Sequence, residues 1–379
     1  MRSPNLFACL PLALLMLAGC DDPGGSKPDK PAAPAAAKIE GADSMASRDP
    51  ASRQAPEAKT PGSDPRPVMQ AQVVLDRLGF SSGVIDGEAN RSFANALVAF
   101  QQARGVAVTG ALDDATAQAL AAWSNIPATR VVTIPDAWGK ITFTALPEGA
   151  PAQAKLTQLG YESMAEKLAE RFHTTPEVLA LLNPQRQTAG AATASPPAAR
   201  AFAPGQQIRV PNIGADAIDP AQVKKPDWLD TLRSLGVGTT QPEVARIVVD
   251  ESEGWLRAYD AEGRLVAGFT VTTGSEHDPL PIGEWKVKGV ATNPPFAYNP
   301  ELFWDVDDSK QKQRLPPGPN GPVGVVWIDL SKDHYGIHGT PEPALIGKTE
   351  SHGCVRLTNW DAARLALMVS GRTEVVFRK

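Results

Sequence analysis

Cysteine is scarce in this chain: 379 residues hold three. An excess of basic charge is also missing. Lys and Arg number 37 against 42 Asp and Glu, a net charge of −5, which excludes a broad basic surface for nucleic acid. No long apolar span is present either. The one run of that character, LFACLPLALLMLAGC after Arg2, is too short for a permanent membrane helix and reads as a secretory signal. Cys9 lies inside that run and Cys20 ends it, so Cys354 stands apart from the other two.

The end of the run, Leu17 to Cys20, places small residues directly before a cysteine. It resembles the lipobox of bacterial lipoproteins, in which that cysteine becomes the acylated N-terminus. An ordinary signal peptide cut near Ala18 is the alternative. The resemblance implies residues 1–19 as signal peptide, Cys20 as the lipidation site and a membrane surface as partner. It also implies retention at the inner membrane through Asp21, and so a place on the periplasmic face of the envelope. With Cys9 removed and Cys20 blocked, Cys354 is the only free thiol and no intrachain disulfide can form. A lone thiol in an oxidising compartment is a liability unless it does chemistry.

What the chain has in quantity is proline, 35 residues, and it is clustered. Residues 20–66 are rich in Pro, Ala, Gly, Ser and Lys with almost no large apolar side chain. Such a stretch cannot bury enough surface to offset its ordering entropy and reads as a disordered tether with a reach of about 40 Å. From 67 to 124 helical spacing returns, with Ala71, Val74, Leu75, Leu78 and then Phe93, Ala96, Leu97, Phe100, and with Asp113 placed to cap a third helix. Asp86-Gly87, Phe100-Gln101, Thr109-Gly110, Leu112-Asp113 and Thr116 resemble the three-helix peptidoglycan-binding domain. Ala89, Asn90 and Phe93 stand where that family prefers an aromatic, a Gly and a Thr; Asn90 suits a left-handed turn.

Residues 155–213 give two helical patterns broken at HTTPE, with Thr175 as cap and Pro176 at the first helical position, then a turn and strand at FAPGQQIRVP. They resemble a degenerate LysM module of α+β type, lacking the usual opening Gly-Asp-Thr-Leu and carrying the insert RQTAGAATASPPAAR. From 244 to 379 the period changes to short strands: three over 245–274, then GEWKVKGV, GPVGVVWIDL and HYGIHG, and a last strand at EVVFR. One helix, WDAARLALMV, turns Ala362, Leu365, Ala366 and Val369 to one face. The pattern predicts a mainly-β sandwich or barrel. Phe296, Tyr298, Phe303 and Trp304 in the Pro-rich interruption form a flap over a cleft or a satellite core.

A thiolate attacks carbonyls where a thiol barely does, so Cys354 needs a base, and His is suited to that near neutral pH. Of five histidines, His334, His338 and His352 lie within twenty residues of it; His173 and His277 read as solvated surface residues. A metal is the rival use. His334 and His338 sit in a strand and turn, where four residues separate side chains by about 13 Å, too far for one ion. His338, His352 and Cys354 could still offer three ligands. An inert buried cysteine is the other alternative, but it needs neither Gly353 beside it nor polar Ser351, His352 and Arg356 around it. Gly353 permits a sharp turn that aims its own N–H and that of Cys354 at an oxyanion. The positive end of the helix opening near Thr358 is expected to lower the thiol pKa.

The segment YGIHGTPEPALIGKTESHGCVRLTNWDAARL resembles the catalytic core of YkuD-type L,D-transpeptidases, with His-Gly-Thr, a spacer, and Ser-His-Gly-Cys-Val-Arg. PLPIGEW resembles the family's Thr-Pro-x-Gly turn, with Leu280 in place of Thr. The resemblance implies Cys354 as nucleophile and His338 as general base. It implies Ser351, His352 and Gly353 as pocket and oxyanion hole, and Arg356, Gly339 and Thr340 as substrate contacts. Arg356 is expected to pair with a carboxylate; the group orienting His338 is not assigned. No metal or other cofactor is implied. The implied reaction is a thioacyl-enzyme formed from a tetrapeptide stem with loss of D-alanine, resolved by a second stem's amine into a 3→3 cross-link, with carbapenems acylating the same thiol. The partners are peptidoglycan stem peptides and glycan. Hydrolysis (an L,D-carboxypeptidase), attachment or release of a lipoprotein, and an inactive wall-binding anchor remain open.

Overall fold

The computed structural model describes residues 66–184, 201–214, 217–302, 311–351 and 353–379. The expected signal peptide, Cys20, the expected tether, the insert after Gln185, Phe303, Trp304 and His352 lie outside the described residues. Among the described residues no helix is long and apolar enough to cross a membrane.

Three helices come first: α1 (Pro67–Arg77), α2 (Arg91–Arg104) and α3 (Asp114–Leu120), with a two-residue strand β1 (Phe80–Ser81) after α1. All eight apolar positions expected on the helix faces are buried. Asp113 caps α3 through Thr116 N at 2.9 Å. Asn90 differs from expectation. Its backbone is extended (φ −100°), its Oδ1 accepts from Phe93 N to cap α2, and Gly87 takes the left-handed turn (φ +80°). A side chain with a free carbonyl oxygen does more at a helix start than in a turn that Gly already supplies.

Next come β2 (Thr129–Thr133), α4 (Met164–Arg171), α5 (Pro176–Leu182) and β3 (Gln207–Pro211). Thr175 caps α5, with Pro176 at its start. β2 and β3 pair antiparallel, Val131 opposite Arg209, so the partner of β3 lies upstream of 155. His173 is not a surface residue as expected but fully buried at φ +55°. Its Nδ1 is 3.1 Å from Asp76 Oδ2, its Nε2 is 2.9 Å from the Leu235 carbonyl, and its ring stacks on Trp360 at 5.0 Å. His277 is exposed, as expected.

The remaining chain forms α6 (Pro226–Leu235), β4 (Arg246–Asp250), β5 (Trp255–Tyr259), β6 (Leu265–Thr270), β7 (Gly283–Thr292), β8 (Phe296–Tyr298), β9 (Gln313–Leu315), β10 (Val326–Leu330), β11 (Gly336–His338), β12 (Val355–Arg356), α7 (Asn359–Met368) and β13 (Glu374–Arg378). One sheet runs β1-β6-β5-β4-β13-β7-β10-β11-β12. Its first strand is the Phe80–Ser81 pair of the helical domain, laid parallel on β6. Just past β6, Thr272 and Arg356 exchange both backbone hydrogen bonds (3.1 and 2.8 Å), joining the two ends. That closure favours the barrel over the sandwich. β8 and β9 pair separately, with Phe296 and Tyr298 half-buried. α6, which precedes 244, places Trp228, Leu232 and Leu235 in the same core as Trp360, Leu365 and Phe377.

A buried polar cluster ties the helical elements to α7. Arg364 donates to both carboxylate oxygens of Asp76 at 2.8 and 2.9 Å and to its carbonyl at 3.1 Å. Ser81 Oγ donates to Asp361 Oδ2 at 2.8 Å. Burial pushes Asp361 up to about 7, while Arg364 and His173 overcome the burial of Asp76 and hold it far below the usual carboxylate range.

Candidate active site

Two short strands gather the chemistry. β11 and β12 run parallel with Ile337 opposite Val355 and His338 opposite Arg356. His338 and Arg356 stand opposite each other, and Arg356 acts electrostatically on both His338 and Cys354, the residue just before β12.

His338 is buried, its ring stacked on Trp327 at 5.5 Å. Its Nδ1 lies 2.7 Å from the Gly339 carbonyl. A carbonyl only accepts, so Nδ1 carries the proton and Nε2 keeps its lone pair. This is the orienting group that sequence left unassigned. Burial, then the charge of Arg356, lowers the imidazole to about 4, against the opposing bond to Gly339. His338 is therefore neutral at pH 7 and able to take a proton.

Cys354 is half-buried, with Sγ 3.8 Å from the His334 carbonyl. His334 reaches that position by a left-handed turn (φ +68°) between β10 and β11. Burial pushes the thiol above its ordinary value, aided by Asp278 and opposed by a backbone hydrogen bond from Gly336 and by Arg356. The expected lowering by the start of α7 does not prevail. The desolvation cost is the larger effect, and Thr358 Oγ1 already accepts from Asp361 N at that helix end (3.2 Å). The resting pair is thus neutral thiol and neutral imidazole.

The surrounding residues divide by role. Gly353 is left-handed (φ +89°), and a Cβ there would sit 2.8 Å from Tyr335 Cε1. Ser351 is buried; its Oγ donates to the Cys354 carbonyl at 2.6 Å and its N to Thr273 O at 2.9 Å, pinning both ends of the motif loop. Arg356 Nε is buried without a hydrogen-bond partner among the described residues, and the guanidinium feels the charges of Cys354 and Glu342. Gly339 and Thr340 are buried; Thr340 Oγ1 accepts from Glu342 N at 3.2 Å. Sequence reasoning missed Trp327, Tyr335, Asp278 and the His334 carbonyl. The hairpin register that sets Trp327 opposite His338 is the one signal for any of them.

A neutral imidazole and a half-buried thiol thus flank Arg356 at the closing strands of a mainly-β sheet. Residues 244–377 match the family model described as "L,D-transpeptidase catalytic domain", and residues 65–120 match "Putative peptidoglycan binding domain". "Putative L,D-transpeptidase YkuD" of Bacillus licheniformis is 35% identical over 130 residues, 34% of this chain and 63% of that protein. "Putative L,D-transpeptidase YkuD" of Bacillus subtilis is 51% identical over 61 residues, 16% of this chain and 37% of that protein. The chain thus spans less than two thirds of the length of either relative. A solved L,D-transpeptidase from Mycobacterium smegmatis aligns at a TM-score of 0.29 and 18% identity, over 36% of this chain and 59% of that one. The chain carries an L,D-transpeptidase catalytic domain and a peptidoglycan-binding domain.

Proposed function

We propose that the chain is a cysteine L,D-transpeptidase that forms 3→3 cross-links between peptidoglycan stems. Cys354 attacks the carbonyl carbon that follows the L centre of the third stem residue while His338 Nε2 takes the thiol proton. The tetrahedral adduct collapses, the C–N bond breaks, and His338 returns the proton to the departing D-alanine amine. A second stem's amine then attacks the thioester and releases the thiol. Gly353, Ser351 and His352 shape the oxyanion pocket, Arg356 meets a substrate carboxylate, and Gly339 and Thr340 contact the substrate beside it. The 155–213 segment is a LysM-like glycan-binding module, and Cys20 is a lipid anchor that holds the enzyme at the periplasmic face of the envelope.

The observation that carries this reading is the Nδ1–H tautomer of His338, held by the Gly339 carbonyl on the strand next to the one that follows Cys354. Protein from residue 66 onward, incubated with purified tetrapeptide muropeptides and read by mass, tests it. Cross-linked dimers with loss of D-alanine are expected, and none from Cys354→Ala. Monomers that lose D-alanine alone would make it a hydrolase. No change in the wild type would overturn the enzyme reading.

A further inference from the structure

We propose that Asn359 is a positioning residue for His338, held in place by Glu170 of the upstream helical segment. The inference rests on the reading of His338 as general base. Asn359 begins α7 and is fully buried. Its Nδ2 donates to Glu170 Oε1 at 2.8 Å and to the Pro319 carbonyl at 3.1 Å, and its Oδ1 accepts from Val325 N at 3.2 Å. Both amide hydrogens and the carbonyl oxygen are thereby engaged, so one rotamer is fixed.

That rotamer lies against the backbone of the histidine's own anchor. A Cβ at Gly339 or at Gly324 would collide with Asn359 Oδ1, so the amide fills the space that both glycines leave. Gly339 N in turn donates to the Val326 carbonyl at 3.3 Å, one residue from the Val325 N that Asn359 holds. Asn359 therefore restrains Gly339 from two sides, and the Gly339 carbonyl is the group that keeps the proton on His338 Nδ1. A carbonyl that drifts leaves the imidazole free to carry the proton on Nε2, where it cannot accept from the thiol.

The far end of the chain of contacts lies outside the catalytic domain. Glu170 is on α4, buried, with Oε2 accepting from Tyr161 Oη at 2.9 Å. The tautomer of the base thus depends on a carboxyl group contributed by the segment between the two recognised domains.

The test compares Asn359→Ala, Glu170→Ala and Glu170→Gln in the full chain. Turnover of a tetrapeptide donor and the ¹⁵N spectrum of His338 are measured, and circular dichroism reports the fold. Asn359→Ala should lower kcat about tenfold or more with KM within about twofold, and should show an Nε2–H population absent from the wild type. Glu170→Ala should move both readouts the same way. Glu170→Gln should restore both, because its amide oxygen still accepts from Asn359 Nδ2. If Asn359→Ala does not fold, the two Glu170 variants decide. Unchanged kcat with Nδ1–H retained, a change in KM alone, or Glu170→Gln falling as far as Glu170→Ala each overturns the proposal. A wild type that turns over the donor confines such a failure to the positioning role; an inert wild type removes the proposed function and this inference together.

Discussion

Arg364→Met offers the most direct measure of how firmly α7 is tied to the helical domain. Arg364 makes three hydrogen bonds to Asp76, two of them to the carboxylate oxygens, and both side chains are buried. The methionine keeps much of the apolar stem and removes the charge. Asp76 is then left as a buried carboxylate whose remaining side-chain partner among the described residues is His173. Breaking one side of a buried pair costs about 3–5 kcal/mol, far more than the pair contributes over an apolar replacement. The cost should fall at low pH, because without Arg364 the burial of Asp76 raises its pKa and protonation relieves the stranded charge. Urea unfolding followed through the fluorescence of Trp360, which stacks on His173, reads the change. The expected result is a loss of about 3–5 kcal/mol at pH 8, a smaller one at pH 5, and recovery of at least half of it in Asp76→Asn/Arg364→Met. A loss below about 1 kcal/mol, or an equal loss at both pH values, would refute the reasoning.

Three further outcomes follow from the site. Alkylation of Cys354 by iodoacetamide should rise about tenfold per pH unit from pH 6 to 8, as for an un-ionised thiol; a plateau from pH 5 would indicate a resting ion pair instead. Arg356→Gln should raise the pKa values of both His338 and Cys354, since the guanidinium lowers each, and NMR titration of the imidazole reads the first directly. Glu170, raised to about 7 by burial, favours the fold fully below pH 4.5 and loses that contribution, roughly 3 kcal/mol, as pH rises through 7. Glu170→Gln should therefore gain stability relative to the wild type between pH 5 and 8, measured as the difference in urea midpoints.

The local elements were legible because their signals are local. The caps at Asp113 and Thr175, the strand run from 245 to 274 and the helix at 360 rest on spacing and turn chemistry within a dozen residues. Cys354 and His338 drew attention because the motif surrounding them has few other uses. What sequence could not show is what meets across the fold. Asp76 and Arg364 are 288 residues apart, and neither neighbourhood announces a partner. His173 looks like a polar residue in a polar break, and only the left-handed turn that carries it inward reveals a core position. α6 was passed over because a ten-residue helix between a proline-rich stretch and a glycine gives a weak periodic signal, although it supplies part of the catalytic core. The thiol's direction of shift was misjudged for the same reason: burial is a property of the assembled sheet, whereas a helix start can be read from Thr358 and Asp361.

A neutral resting pair is compatible with a nucleophile that must also survive between turnovers. Burial raises the thiol and lowers the imidazole, so moving the proton from one to the other in the resting site is uphill. The thiolate then exists chiefly while a substrate carbonyl is at hand to receive it, and between turnovers the sulfur remains in the form that oxidants attack slowly. Arg356 suits this arrangement because one guanidinium, acting on both groups, favours the thiolate and the neutral imidazole alike. It makes the thiol easier to ionise without trapping the proton on the base, which a carboxylate in the same position would do.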